Sequence, residues 1–263
     1  MKKGTVRVIT VLVMAIALLA GCVACHNTKP AGNTDIQLLT AICQKSEIDV
    51  EHKSRAEPEV HLINYRTSEI NPDGTIEELA WEEATTITHL HAPWTPEERN
   101  STAFRCFISP GYFNFAFEVI NKSPISLDYT HEKSVAKGDR VELFFSASTE
   151  LSPYYRIEMN PHGHIFDDEA YFHHVFDDSW NFSHRTVVGK TTPKGYIIEG
   201  YIAIPELQSL GIDVNAGFYL GVFRADFTKE DENTATWYSW INPQVEEAKF
   251  HIPSAFRKSQ QNQ

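Results

Sequence analysis

The chain has 263 residues and a formal net charge of −12, and 12% of its residues are aromatic. That length suits one large domain or two small ones. The acidity works against nucleic acid and anionic lipid surfaces as direct partners. The sequence contains no Walker loop, dinucleotide fingerprint or paired CxxC motif, so a nucleotide-dependent enzyme is not indicated.

In chain order, Lys2, Lys3 and Arg7 precede an apolar run from Val8 to Ala20 that ends in Leu19-Ala20-Gly21-Cys22. A charged start followed by a run too short to span a bilayer is a secretory leader. Its small-small-Cys ending resembles the bacterial lipobox. Residues 1–21 are therefore expected as a signal peptide, with Cys22 as the lipidated first residue of the mature chain. Stable anchoring takes more than one acyl chain. With Lys2, Lys3 and Arg7 removed, the mature charge becomes about −15, and the lipid anchor rather than a basic patch must hold the protein to the bilayer. Residues 22–57 are mixed and polar and are expected as a tether, with a short helix around Ile36–Ile42. Three cysteines follow the anchor, Cys25, Cys43 and Cys106. They cannot all pair internally; a Cys43–Cys106 bridge and a buried unpaired Cys106 both stay open.

From Pro58 onward the pattern is that of short strands: Glu59–Tyr65, Thr102–Ile108, Tyr112–Ile120, Arg140–Phe145, Tyr154–Asn160, Tyr196–Ile204, Phe218–Asp226 and Thr236–Ile241. Turn residues such as Asn71-Pro72-Asp73-Gly74, Ser109-Pro110-Gly111 and Pro161-His162-Gly163 separate them. Pro205 to Gly211 carries Pro near its start and Gly at its end, the signature of a short helix. The fold class expected is all-β, an antiparallel, jelly-roll-like β-sandwich with short helical turns over residues 58–257, with 258–263 as a tail.

Side-chain alternation divides the strands into faces. Val141, Leu143 and Phe145 oppose Arg140, Glu142 and Phe144. Tyr155, Ile157 and Met159 oppose Arg156, Glu158 and Asn160. Leu220, Val222, Arg224 and Asp226 share one side of their strand, and Ile197, Glu199 and Tyr201 share a side of theirs. A face carrying guanidinium and carboxylate groups is the solvated side of a half-buried sheet with cross-strand ion pairs, or a binding face for hydroxyl-rich ligands.

Several motifs occur in a fixed order: Asp73-Gly74-x-Ile76 with Trp81 and Ala84; Asp139-Arg140-Val141-Glu142-Leu143-Phe144; Tyr155-Arg156-Ile157-Glu158-Met159-Asn160-Pro161-x-Gly163; Tyr196-Ile197-Ile198-Glu199-Gly200; Gly221-Val222-Phe223-Arg224; Ser239-Trp240-x-x-Pro243; and Phe250-His251-x-Pro253-x-x-Phe256. Together, from about Pro58 to Phe256, they resemble the family 9 carbohydrate-binding modules, especially family-9-like domains of lipoproteins. The resemblance implies a non-catalytic β-sandwich that holds the end of a sugar chain between two aromatic walls. By position it puts the ligand carboxylate at Glu142, the arginine at Arg156, a further polar contact at Arg224 and the second wall at Phe250. The first wall falls on Ala136, which has no ring; Trp180 is the candidate to replace it. Trp81 and Trp240 are expected as framework residues.

Pro161 to Arg185 gathers His162, His164, His173, His174 and His184 with Asp167, Asp168, Glu169, Asp177 and Asp178. Such residues can ligate divalent ions, but no zinc-site spacing is present. A loop with aromatic anchors at Phe166, Phe172 and Phe176 is the simpler reading. No cofactor is expected, a structural calcium ion being the one option that the resemblance adds.

The sequence therefore points to a lipid-anchored, non-catalytic carbohydrate-binding module of the bacterial cell envelope, at the outer membrane. Its partners would be glycans or oligosaccharides, the lipid bilayer through the anchor, and a glycoside hydrolase or transporter in polysaccharide catabolism. The alternative is an envelope interaction or structural module that kept the fold and lost sugar binding.

Overall fold

A computed structural model describes residues 60–95, 101–172, 174–228 and 235–262. The leader, Cys22, the expected tether and its short helix, Cys25, Cys43 and His173 lie outside the described residues.

Two β-sheets pack face to face. The larger contains β1 (His61–Ile63), β5 (Arg140–Ser146), β6 (Tyr154–Met159), β7 (Ile165–Tyr171), β8 (Val175–Asp177), β11 (Phe218–Asp226), β12 (Thr236–Ser239) and β13 (Arg257–Gln261). Its order is β1-β13-β11-β5-β6-β7-β8, with β12 also paired to β11. The smaller is ordered β2-β3-β4-β10-β9, built from β2 (Thr85–Ile87), β3 (Thr102–Ser109), β4 (Tyr112–Ile120), β9 (Arg185–Thr192) and β10 (Gly195–Ala203). Helix is confined to short pieces, α1 (Leu79–Glu82), α2 (Ile204–Ser209) and two 3₁₀ turns, Glu132–Lys137 and Pro253–Ala255. This is the expected β-sandwich. Its pairings are antiparallel except β1 with β13, which run parallel.

Alternation builds the space between the sheets. Phe113, Phe115 and Phe117 of β4 point inward beside Phe104 of β3 and Ile198 and Ile202 of β10, and Val141, Leu143, Phe145 and Ile157 meet them from the larger sheet. Phe113 sets its edge against Phe145 at 5.4 Å and against Phe218 at 6.2 Å. Each fully buried ring of this size contributes roughly 1.5–3 kcal/mol. Cys106 belongs to this core, buried and unpaired, and burial pushes its thiol far above the ordinary range.

Five strands depart from the sequence expectation. β7 and β8 run through the histidine-rich stretch read as a loop, and β13 occupies the segment expected as a tail. β13 takes its stability from main-chain pairing to β11 and β1 rather than from apolar alternation. β2 and β9 are edge strands, partly exposed and weakly patterned.

Candidate functional site

The outer face of the larger sheet carries the charged residues singled out from sequence. Across it, β11, β5, β6 and β7 align Phe223, Glu142, Glu158 and Phe166 in one row, and Gly221, Phe144, Arg156 and Asp168 in the next. Arg140 lies at the β5 end of the same face. Glu142 and Glu158 are thus direct partners on neighbouring strands, an arrangement of like charges that is unfavourable by itself. Arg140 resolves it: its Nε lies 2.9 Å from Glu142 and 2.7 Å from Glu158. Arg156 continues the chain, with Nη1 2.7 Å from Glu158 and a two-pronged contact to Asp168 at 2.6 and 2.5 Å. Carboxylate and guanidinium alternate in five linked groups, Glu142, Arg140, Glu158, Arg156 and Asp168.

The network is not the solvated face that alternation suggests. The side chains of Glu142 and Glu158 are each 2% exposed and Asp168 0%, while Arg156 keeps 12%. Aromatic rings from distant segments cover the guanidinium planes. Phe176 and Phe166 lie 4.6 and 5.1 Å from the Arg156 carbon, and Trp237 and Phe227 lie 5.3 and 5.9 Å from that of Arg140. His251 donates to or accepts from the Tyr154 hydroxyl at 2.7 Å and packs on Phe144, Phe176 and His174. Burial, with Arg156 nearby, drives the His251 pKa down to about 3. Burial, reinforced by Glu158, pushes the Glu142 carboxyl up to about 7. The array is thus a pre-ordered charge network under an aromatic cover, and its most solvent-facing member is Arg156.

Glu142, Arg156 and Phe250 share this side of the sheet; Arg224 and Trp180 do not. Arg224 points between the sheets and is 0% exposed. It donates to Thr102 Oγ1 at 3.0 Å and sits 3.3 Å from Asp226 and 3.6 Å from Asp139. Burial, with Asp226 beside it, pushes Asp139 up to about 6. The residue that β11 does place on the outer face is Phe223, one position earlier. Trp180 packs on Tyr155 at 4.9 Å and on Phe182 at 4.8 Å, against the core between the sheets. It cannot serve as a wall beside Glu142, because Tyr155 is on the inner side of β6.

Phe250 is on the outer face but closed. It stacks on Phe223 with ring centroids 4.2 Å apart and planes 14° apart, and is only 6% exposed. Trp237 meets Phe250 edge-on at 5.4 Å and remains partly exposed over Arg140. Arg140 Nη1 also holds the Ala136 carbonyl at 2.8 Å, which fixes the turn where the family resemblance expects a ring. Arg140, Glu158, Asp168, Trp237 and His251 thus join the site without having been singled out as ligand residues. Arg140 and Glu158 are legible from alternation; the other three depend on tertiary placement.

The described residues of the histidine-rich stretch point to different neighbours. His164 stacks on Tyr129 at 4.2 Å, whereas His174 packs beside His251, and Lys133 pairs with Asp178. Among the described residues no group of three or more His, Cys, Asp or Glu side chains is arranged to hold a metal ion.

The fold has counterparts among solved proteins. A candidate carbohydrate-binding protein from Bacteroides uniformis superposes with a TM-score of 0.62 at 14% identity, over 78% of this chain and all of its own. A family 9 carbohydrate-binding module from Caldicellulosiruptor kristjanssonii, solved with cellotriose, gives 0.54 at 14% identity, over 77% of this chain and 93% of its own. These likenesses define the sandwich as one shared with carbohydrate-binding modules. No protein-family model and no curated protein matches the chain.

Proposed function

We propose that the protein is a non-catalytic carbohydrate-binding module that holds glycans or oligosaccharides on the outer face of its larger sheet. The observation that carries this reading is the Glu142–Arg140–Glu158–Arg156–Asp168 array flanked by rings, in a fold shared with a module solved with cellotriose. Neighbouring donors and acceptors match vicinal hydroxyls, and an aromatic ring matches the C–H face of a sugar. Arg156, the most exposed member of the array, supplies the polar contact, and Glu142 holds the network behind it. Trp237 takes the stacking role in place of the closed Phe250 and the ringless Ala136. Glu142 and Glu158 share one guanidinium, a geometry that commits both to the network rather than to separate acid and nucleophile roles.

In this reading a lipid on Cys22 tethers the module to the bacterial envelope, at the outer membrane, where it hands glycans to a hydrolase or transporter in polysaccharide catabolism. The closed Phe250–Phe223 stack, the ringless Ala136 and the covered array favour an envelope-interaction module without sugar binding. Crystals grown with cellotriose test the choice. Sugar density against Trp237 and Arg156 supports the proposal, and an empty face after soaking a broad oligosaccharide panel contradicts it.

A further inference from the structure

A second cleft lies on the opposite outer face, against the smaller sheet. Its volume is about 710 Å³, inside the ~300–1,000 Å³ range of small-molecule sites. The floor comes from β3, β4, β9 and β10 through Arg105, Glu118, Lys190 and Ile197. The wall is the Gly74–Glu77 segment and the edge of Trp81 in α1.

A buried carboxylate fastens this wall to the floor. Glu199 of β10 is 0% exposed, and its Oε2 accepts from the backbone N–H groups of Asp73 and Gly74 at 2.8 and 3.0 Å. Its Oε1 accepts from the Trp81 indole N–H at 3.1 Å, while Trp81 packs edge-on to Phe107 at 5.1 Å. Gly74 sits at φ +78°, and a Cβ there would lie 2.6 Å from the Lys190 Cβ. Only glycine meets both demands, so the wall lies directly against the Lys190 stem. The wall of the cleft is thus fixed against its floor by hydrogen bonds that no ligand has to supply.

Its lining has the chemistry of a hydroxyl-rich ligand. Arg105 and Glu118 pair at 3.3 Å with side chains 25% and 45% exposed, presenting a donor fork and an acceptor side by side. Lys190 adds a second cation, and Ile76 and Ile197 apolar contact for a C–H face, while the Thr75 hydroxyl donates to Asp73 and the Thr192 hydroxyl accepts from Lys194 and Gly195. Carboxylates and cations are interspersed, which suits an uncharged polyol better than an anion. We infer that this cleft is a second saccharide subsite, independent of the array on the larger sheet.

Nuclear magnetic resonance on the mature protein, with its five tryptophans labelled in the indole nitrogen, tests this directly. Trp81 reports on the cleft and Trp237 on the other face. Glucose and cellotriose, titrated to about 10 mM, are expected to shift the Trp81 indole resonance saturably. Arg105→Ala with Lys190→Ala is expected to weaken that response roughly tenfold. The same double variant leaves any Trp237 response unchanged and the Tm within about 3 °C, since exposed pairs contribute little. A Trp81 resonance unmoved by both sugars overturns the inference, whatever Trp237 does. So does a Trp81 shift that survives in the double variant.

Discussion

Glu142 and Glu158 face each other on adjacent strands, and the single Nε of Arg140 lies within 2.9 Å of both. Removing that guanidinium leaves Glu142 buried without its ion-pair partner, opposite a Glu158 that keeps only Arg156. Arg140→Ala is expected to cost about 3–5 kcal/mol, seen as a lowered urea midpoint. Adding Glu142→Gln to that variant should restore part of the loss, because one of the opposing charges is gone. An Arg140→Ala midpoint equal to that of the parent would show that the pair is not held by Arg140.

The same burial sets a pH dependence. The folded Glu142 carboxyl titrates near 7 against an ordinary value of 4.5, so the folded state binds its proton more tightly than the unfolded chain. Its contribution is fully present below about pH 4.5 and is lost as pH rises through about 7. Asp139 and Asp167, both pushed to about 6 by burial, act in the same direction. His251 acts oppositely: its pKa falls from 6.5 to about 3, so its contribution is full above 6.5 and is lost as pH falls toward 3. Glu142→Gln should flatten the decline between about pH 4.5 and 7 in urea melts. A profile unchanged by the substitution would contradict the burial of an ionisable Glu142.

Glu199 gives a test on the other sheet. It accepts from two backbone N–H groups and the Trp81 indole, and hydrogen bonds to a charged partner contribute roughly 1.5–3 kcal/mol each. Glu199→Ala is expected to lower stability by about 3 kcal/mol and, at this domain size, Tm by roughly 10 °C. Tryptophan emission should shift to the red as Trp81 gains water. Unchanged emission would mean that the wall of the cleft does not depend on Glu199.

The strands most legible in the sequence are those whose two faces differ in kind. Val141, Leu143 and Phe145 against Arg140 and Glu142 define β5, and Ile157 against Arg156 and Glu158 defines β6. β13, Arg257–Gln261, carries no apolar alternation and exists through its main-chain partners, which a local pattern does not report. Alternation also places Arg224 with Leu220 and Val222 on the inner face, where the structure has it; position within the family motif points instead to the ligand face, which Phe223 occupies. The charged face is legible as a face but not as buried. Its cover, Phe176, Trp237 and His251, comes from segments distant in sequence, and Asp168 lies in a stretch whose histidines mask its strand.

The anchor has its own test. Metabolic labelling with an alkyne fatty acid is expected to mark the protein in a bacterial host, and Cys22→Ala should abolish the label. Label that persists in the variant would place the lipid elsewhere.

Calorimetry of the protein against mono- and oligosaccharides tests sugar binding most directly. With rings that are only partly exposed and a largely covered polar array, dissociation constants of about 10 µM to 1 mM are expected. Trp237→Ala should weaken binding at least about tenfold. Trp237 also packs on Phe250 and over Arg140, so the variant's Tm is expected to fall by several degrees, and binding is read where circular dichroism shows it folded. Heat that saturates in this range and is lost in Trp237→Ala is the expected result; no heat from the intact protein with any saccharide of a broad panel would contradict carbohydrate binding.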